Sequence, residues 1–141
     1  MILLFVLATK ILIANRGEIV IRVAKTCKKL SMIPCGVYSD PDQNSLHIKY
    51  CNESINIGGT TAAESYLRSD KITDVAKQMG CDLIHPGYGF LAENFDFAEL
   101  CKKEGFIFVG PSPAVLKISG DKVKAKELAS KVAPVVPGRE V

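Results

Sequence analysis

Cys81-Asp82-Leu83-Ile84-His85-Pro86-Gly87-Tyr88-Gly89-Phe90-Leu91-Ala92-Glu93-Asn94 is the stretch that sets the fold. Its first four residues are a largely apolar run that reads as a short buried strand. The next ten pack a proline, two glycines and a tyrosine ahead of an amphipathic helix beginning near Asn94. Open α/β sheets place ligands at loops of this kind, between the carboxyl end of a parallel strand and a helix N-terminus. Glycines there let backbone N–H groups approach a ligand without interference from a Cβ. The bland alternative is a tight strand-to-helix connection with Tyr88 as core filler, and residue chemistry alone leaves both open.

Strand and helix alternate outward from this loop on either side. Upstream, Lys10-Ile11-Leu12-Ile13-Ala14 reads as a buried strand. Residues 17–30 read as a helix with Ile19, Val23, Cys27 and Leu30 on its apolar face and Arg22, Lys25 and Lys29 outward. Glu18 in its first turn suits the positive end of the helix dipole. Residues 33–38 form a second strand, closed by the turn Ser39-Asp40-Pro41-Asp42. One or two helical turns over 45–51 and a strand over 54–57 follow. Ser69 is expected to cap a helix running to Met79, with Gly80 as its stop.

Downstream, residues 95–104 form a helix ended by Gly105, residues 106–109 a fifth strand, and residues 113–118 and 121–132 two further helices. Strands separated by helical stretches imply parallel βαβ units with right-handed crossovers. The expected object is a doubly wound α/β domain: an open parallel sheet of about five strands with helices on both faces.

The bulk properties fit one such domain. A chain of 141 residues, 48% hydrophobic and 23% charged, is globular rather than disordered. The net charge of +3 is mild. The lysines at 117, 122, 124, 126 and 131 read as a solvated helix face, without the interleaved aromatics of a nucleic-acid surface. Five cysteines with no C-x-x-C spacing exclude the usual zinc and redox motifs and read as buried free thiols in a reducing compartment. His47 and His85 are too isolated for a metal site. Residues 1–9 form an apolar extension with no basic n-region for a signal peptide. Lys10 and Asn15 interrupt it too early for a membrane span.

Two familiar phosphate-binding devices are missing. After the first strand, Ala14-Asn15-Arg16-Gly17-Glu18-Ile19 has one glycine where a dinucleotide fingerprint needs three, which argues against a dehydrogenase domain. No G-x-x-x-x-G-K-[ST] loop exists either. Asn15 and Arg16 read as a turn residue and a surface charge, or, by their place at a strand-to-helix junction, as functional residues. Gly120-Asp121-Lys122 is a helix start or an ammonium placed near a phosphate, and spacing does not choose between them.

The motifs are more specific together than singly. Lys10–Ile19, Val37-Tyr38-Ser39, Asn44-Ser45-Leu46-His47, Ser65-Tyr66-Leu67, Ile84–Asn94, Phe108-Val109-Gly110-Pro111 and Gly120-Asp121-Lys122 occur in order. That order and spacing resemble the N-terminal domain of biotin carboxylase, the ATP-dependent component of acyl-CoA and pyruvate carboxylases. The likeness spans residues 10–138 and implies a Rossmann-like, pre-ATP-grasp domain over 10–133. Residues 134–141 would then begin the connection to an ATP-grasp lid.

By this resemblance Lys122 contacts ATP phosphate, Tyr88 and Gly89 wall the biotin ureido ring, and Arg22 serves subunit contact, as in a homodimer. No catalytic residue and no metal ligand fall in this portion. ATP, biotin on a carrier protein, and magnesium or manganese would be handled with domains beyond it. The implied partners are a biotin carboxyl carrier and a carboxyltransferase, with no nucleic acid and no membrane. The implied setting is cytoplasmic, or the mitochondrial matrix in a eukaryote.

The chain departs from the family pattern at Ala92, where serine is usual, and at Lys25 and Lys29, where bacterial dimers can carry arginine and glutamate. It also lacks the customary Ala-Gly ahead of Val135-Val136-Pro137. These residues alone are expected to be inactive. The alternatives are a stand-alone nucleotide-binding or oligomerisation module, and the corresponding domain of another ATP-grasp synthetase.

Overall fold

The computed structural model of the chain describes residues 9–136. The apolar extension therefore lies outside the described residues except for Thr9, as does the end of the connection expected over 134–141. Five strands form one parallel sheet: β1 (Lys10–Ile13), β2 (Ile33–Tyr38), β3 (Glu53–Asn56), β4 (Leu83–His85) and β5 (Ile107–Phe108), in the order β3-β2-β1-β4-β5. The six helices are α1 (Glu18–Lys29), α2 (Leu46–Tyr50), α3 (Ser69–Gln78), α4 (Phe95–Lys103), α5 (Pro113–Ser119) and α6 (Lys122–Ser130).

β1 is central because it is apolar on both faces, as a strand covered on both sides must be. Leu12 and Ala14 face the larger core with Ile72, Val75 and Ala76 of α3 and Phe97 and Cys101 of α4. Ile13 faces the other way, against Ile19, Val20 and Ala24 of α1. Helices thus lie on both faces, as the alternation predicts. Four of the five cysteines are buried, Cys51 is half-buried, and all five are free thiols.

The ends of several elements differ from expectation for local reasons. Leu30, assigned to the buried face of α1, is 66% exposed. The helix stops at Lys29 and the chain turns through Ser31, at φ +58°, so helical spacing no longer governs position 30. Ser69 is the first residue of α3 rather than its cap, and the cap position belongs to Arg68, which makes no side-chain cap bond. The Arg68 guanidinium instead pairs with Asp70 in the first turn, and the Ser69 carbonyl accepts from the Thr73 hydroxyl at 3.1 Å. β5 is two residues long, although Val109 still donates its N–H to Ile84 at 2.9 Å.

The strand order fixes where a ligand can enter. From β1 the chain builds outward through β2 and β3, then restarts on the opposite side of β1 with β4 and β5. The loops leaving β1 and β4 diverge, and the carboxyl ends of these two neighbours form the topological switch point of the sheet.

Candidate functional site

At the switch point lies an open crevice of about 370 Å³, lined by Asn15, Arg16, Gly17, Glu18, Tyr88, Gly89 and Phe90. Residues 15–18 leave β1 and start α1; residues 88–90 belong to the glycine-containing loop after β4. Tyr88 and Gly89 are thus brought together in one cleft with Asn15 and Arg16. Tyr88 is no core filler: it is 59% exposed, and its hydroxyl donates to Glu18 Oε2 at 3.4 Å.

Asn15 builds the crevice. Buried to 3% exposure, its side-chain amide donates to the carbonyl of Pro86 and to that of Tyr88, both at 2.8 Å. Its Oδ1 accepts from the N–H of Arg16 at 2.9 Å. One side chain at the end of β1 therefore fixes the loop that follows β4. Gly87 is required for that contact. At φ +70°, a Cβ there would stand 2.6 Å from Asn15 Nδ2. Gly89, at φ +63°, has open space where a Cβ would lie, so its backbone borders the crevice.

Arg16 forms a second tie. Its guanidinium lies 5.6 Å from the Tyr66 ring centre and 5.8 Å from that of Phe90, and the two rings stack at 5.2 Å. The stacking holds Phe90 at φ +33°, a conformation that side chains larger than glycine seldom adopt. Behind the guanidinium, Asp42 accepts from Tyr66 at 2.7 Å, from Ser39 at 3.0 Å, from Arg16 at 3.4 Å and from Ser45 at 3.2 Å. Burial opposes the charge on Asp42, but these donors outweigh it and hold its carboxyl below the usual range. The Tyr66 hydroxyl, buried and facing that carboxylate, is pushed up to about 12.

His85 ends β4, and its Nδ1 accepts from the Gly87 N–H at 3.0 Å. Burial and the nearby Arg22 lower its pKa, so it is a neutral, loop-shaping residue. Among the described residues no group of three or more His, Cys, Asp or Glu is placed to hold a metal ion. The crevice offers a flat aryl ring, an unhindered backbone edge, a hydroxyl and a guanidinium. These suit binding a planar polar group more than acid–base or metal chemistry.

The remaining expected site residues lie elsewhere. Arg22 is on the outer face of α1, 3.7 Å from Glu18, and borders a separate groove. Lys122 is the exposed first residue of α6 and does not line the crevice. Sequence reasoning underrated Asn15 and missed Asp42 and Tyr66. A buried polar residue at the end of the central strand was the available signal for Asn15. Nothing local marks Asp42 as part of the site, because the partners that tie it there, Arg16 and Tyr66, come from distant segments.

Comparison with known proteins places this architecture. Residues 7–116 match the family model described as biotin carboxylase, N-terminal domain. The chain is 52% identical over 131 residues to the mitochondrial methylcrotonoyl-CoA carboxylase subunit alpha of Dictyostelium discoideum, covering 92% of this chain and 19% of that protein. It is 48% identical over 133 residues to the biotin carboxylase of Halalkalibacterium halodurans, covering 94% of this chain and 29% of the relative. The solved biotin carboxylase domain of a single-chain bacterial carboxylase superposes with a TM-score of 0.90 at 40% identity, over 94% of this chain and 31% of that one. The chain thus spans less than a third of each.

Proposed function

This chain belongs to the biotin carboxylase N-terminal domain family, and from that premise we propose that it supplies one wall of a site where ATP and bicarbonate carboxylate biotin on a carrier protein. The observation that carries this reading is the switch-point crevice, in which Asn15 ties the Pro86–Tyr88 backbone to the end of β1. The crevice fits a ureido ring, which is planar, uncharged and edged with donors and acceptors. Tyr88 offers its exposed ring as a face, and Gly89 leaves the backbone edge open. Asn15 and Arg16 hold both against displacement, so the wall is shaped before the ring arrives.

Lys122 is the residue we assign to ATP phosphate, as an exposed ammonium on α6. ATP with magnesium or manganese supplies the phosphoryl group that activates bicarbonate, and parts of the enzyme outside these residues bind the metal. Arg22, on the free face of α1, is assigned to contact with a second subunit. The carrier and a carboxyltransferase are the partners. The cytoplasm or the mitochondrial matrix is the setting; the Dictyostelium relative's name describes that protein as mitochondrial.

Replacing the N-terminal domain of the Halalkalibacterium enzyme with this chain tests the proposal through biotin-dependent ATP cleavage. The chimera should turn over, and the isolated 141 residues should not. Tyr88→Ala in the chimera should lower kcat/KM for biotin about tenfold or more with melting temperature unchanged. Turnover by the isolated chain, or a fully active Tyr88→Ala chimera, would refute the assignment.

A further inference from the structure

Asn15 accounts for only part of the loop's shape. Its side-chain amide holds the carbonyls of Pro86 and Tyr88 and reaches no further along the loop. Gly89 follows, with no side chain to pack and φ +63°. Its carbonyl accepts from the Ala92 N–H at 2.8 Å, a closure that carries the backbone through Phe90 at φ +33°. A side chain disfavours that conformation, so the turn persists only where surrounding structure holds Phe90 in it.

Two other segments do the holding. The half-buried Phe90 ring lies on that of Tyr66 with 10° between their planes. Tyr66 is fixed in turn: it is 1% exposed, and its hydroxyl donates to Asp42 and accepts from the Ser39 N–H at 3.1 Å. Arg16 lies against both rings and bonds Asp42 through its guanidinium. Tyr66, Ser39 and Arg16 all donate to Oδ2 of Asp42, and Ser45 donates to Oδ1. The Asp42 carboxylate therefore anchors both the ring beneath Phe90 and the cation beside it, while bonding no residue of the loop itself.

We propose that Asp42 is a positioning residue for the crevice: through Tyr66 and Arg16 it holds Phe90, and so fixes where the Gly89 backbone edge points. Its consequence, firmer capture of the biotin ring, rests on the carboxylation reading; the positioning itself does not. Asparagine keeps the shape of Asp42, gives up the charge, and has one accepting oxygen where four donors converge.

Two measurements test this. In the full chain, Asp42→Asn should produce microsecond-to-millisecond exchange in 15N relaxation dispersion at residues 89–91 and none in β1. In the chimera with the Halalkalibacterium enzyme, it should raise KM for biotin about fivefold, with kcat and KM for ATP unchanged. Tyr66→Phe keeps the stacked ring, drops the hydroxyl and should act in the same direction on both readouts. Neither change should have a further effect in a Phe90→Gly background, because glycine adopts the turn without being held.

Quiet amides at 89–91 in both variants overturn the proposal. So does a KM effect that adds in full to that of Phe90→Gly, or a parallel rise in KM for ATP, which marks general loosening. Exchange at 89–91 with an unaltered KM for biotin overturns the functional consequence where Tyr88→Ala raises that KM. If Tyr88→Ala is equally silent, the carboxylation reading is what fails.

Discussion

Asp42 joins three separate stretches of chain: Arg16 after β1, Ser39 and Ser45 around its own turn, and Tyr66 ahead of α3. Through Arg16 it reaches the candidate site, because the same guanidinium lies against Tyr66 and Phe90. The titrations of Asp42 and Tyr66 have opposite consequences for stability. Asp42 has a folded-state pKa below its unfolded one, so its contribution is complete above about pH 4 and is lost as pH falls through the folded value. Tyr66 is raised to about 12, so its contribution is complete below about pH 10 and is lost as pH rises towards 12. Urea midpoints of Asp42→Asn against the parent should show a gap at pH 7 that narrows by pH 3. A gap of constant size would mean that the carboxylate charge plays no part. None of this was legible in the turn Ser39-Asp40-Pro41-Asp42, which signals only a change of direction.

Helix starts show which local signals survive in the folded chain. Asn94 caps α4 through its Oδ1, which accepts from the Phe97 N–H at 2.8 Å. Asp121 caps α6 by accepting from Val123 at 3.1 Å and from Lys124 at 3.2 Å. Ser69 looks equally suitable in the sequence but sits inside α3 and caps nothing. Asn94→Ala should therefore cost about 1 kcal/mol, whereas Ser69→Ala should cost no more than about 0.5 kcal/mol. Equilibrium urea denaturation separates the two, and a matching loss at Ser69 would contradict its placement inside α3, one residue past the cap position at Arg68. Apolar periodicity located the bodies of α1 and α3 well, because side chains on one face of each pack into a core. It located the ends less well, since turns such as Ser31 at φ +58° answer to where the next strand lies.

Stability is distributed unevenly across the whole molecule. β1 and its neighbours are buried between two helical layers, whereas α6 has no buried residue and exposes Val123 and Leu128. Native-state hydrogen exchange should find α6 amides at least a hundredfold faster than those of α1 or α3, since local opening there uncovers little apolar surface. Equal protection would show that α6 is held by contacts beyond its own packing. The sequence by itself determined the class of the molecule: strand–helix alternation, a β1 apolar on both faces and short glycine-bearing connections leave an open parallel sheet as the solution. It also determined that the loop from His85 to Asn94 is exceptional, because glycine, proline and tyrosine density is a local property. Only the tertiary structure decided why that loop holds its shape. Asn15 and the Pro86–Tyr88 backbone are some seventy residues apart in sequence and meet because β1 and β4 pair side by side. Pairing partners are set by the packing of the whole sheet. No window of sequence therefore contains the bond that makes the crevice, or the reason Gly87 must be glycine.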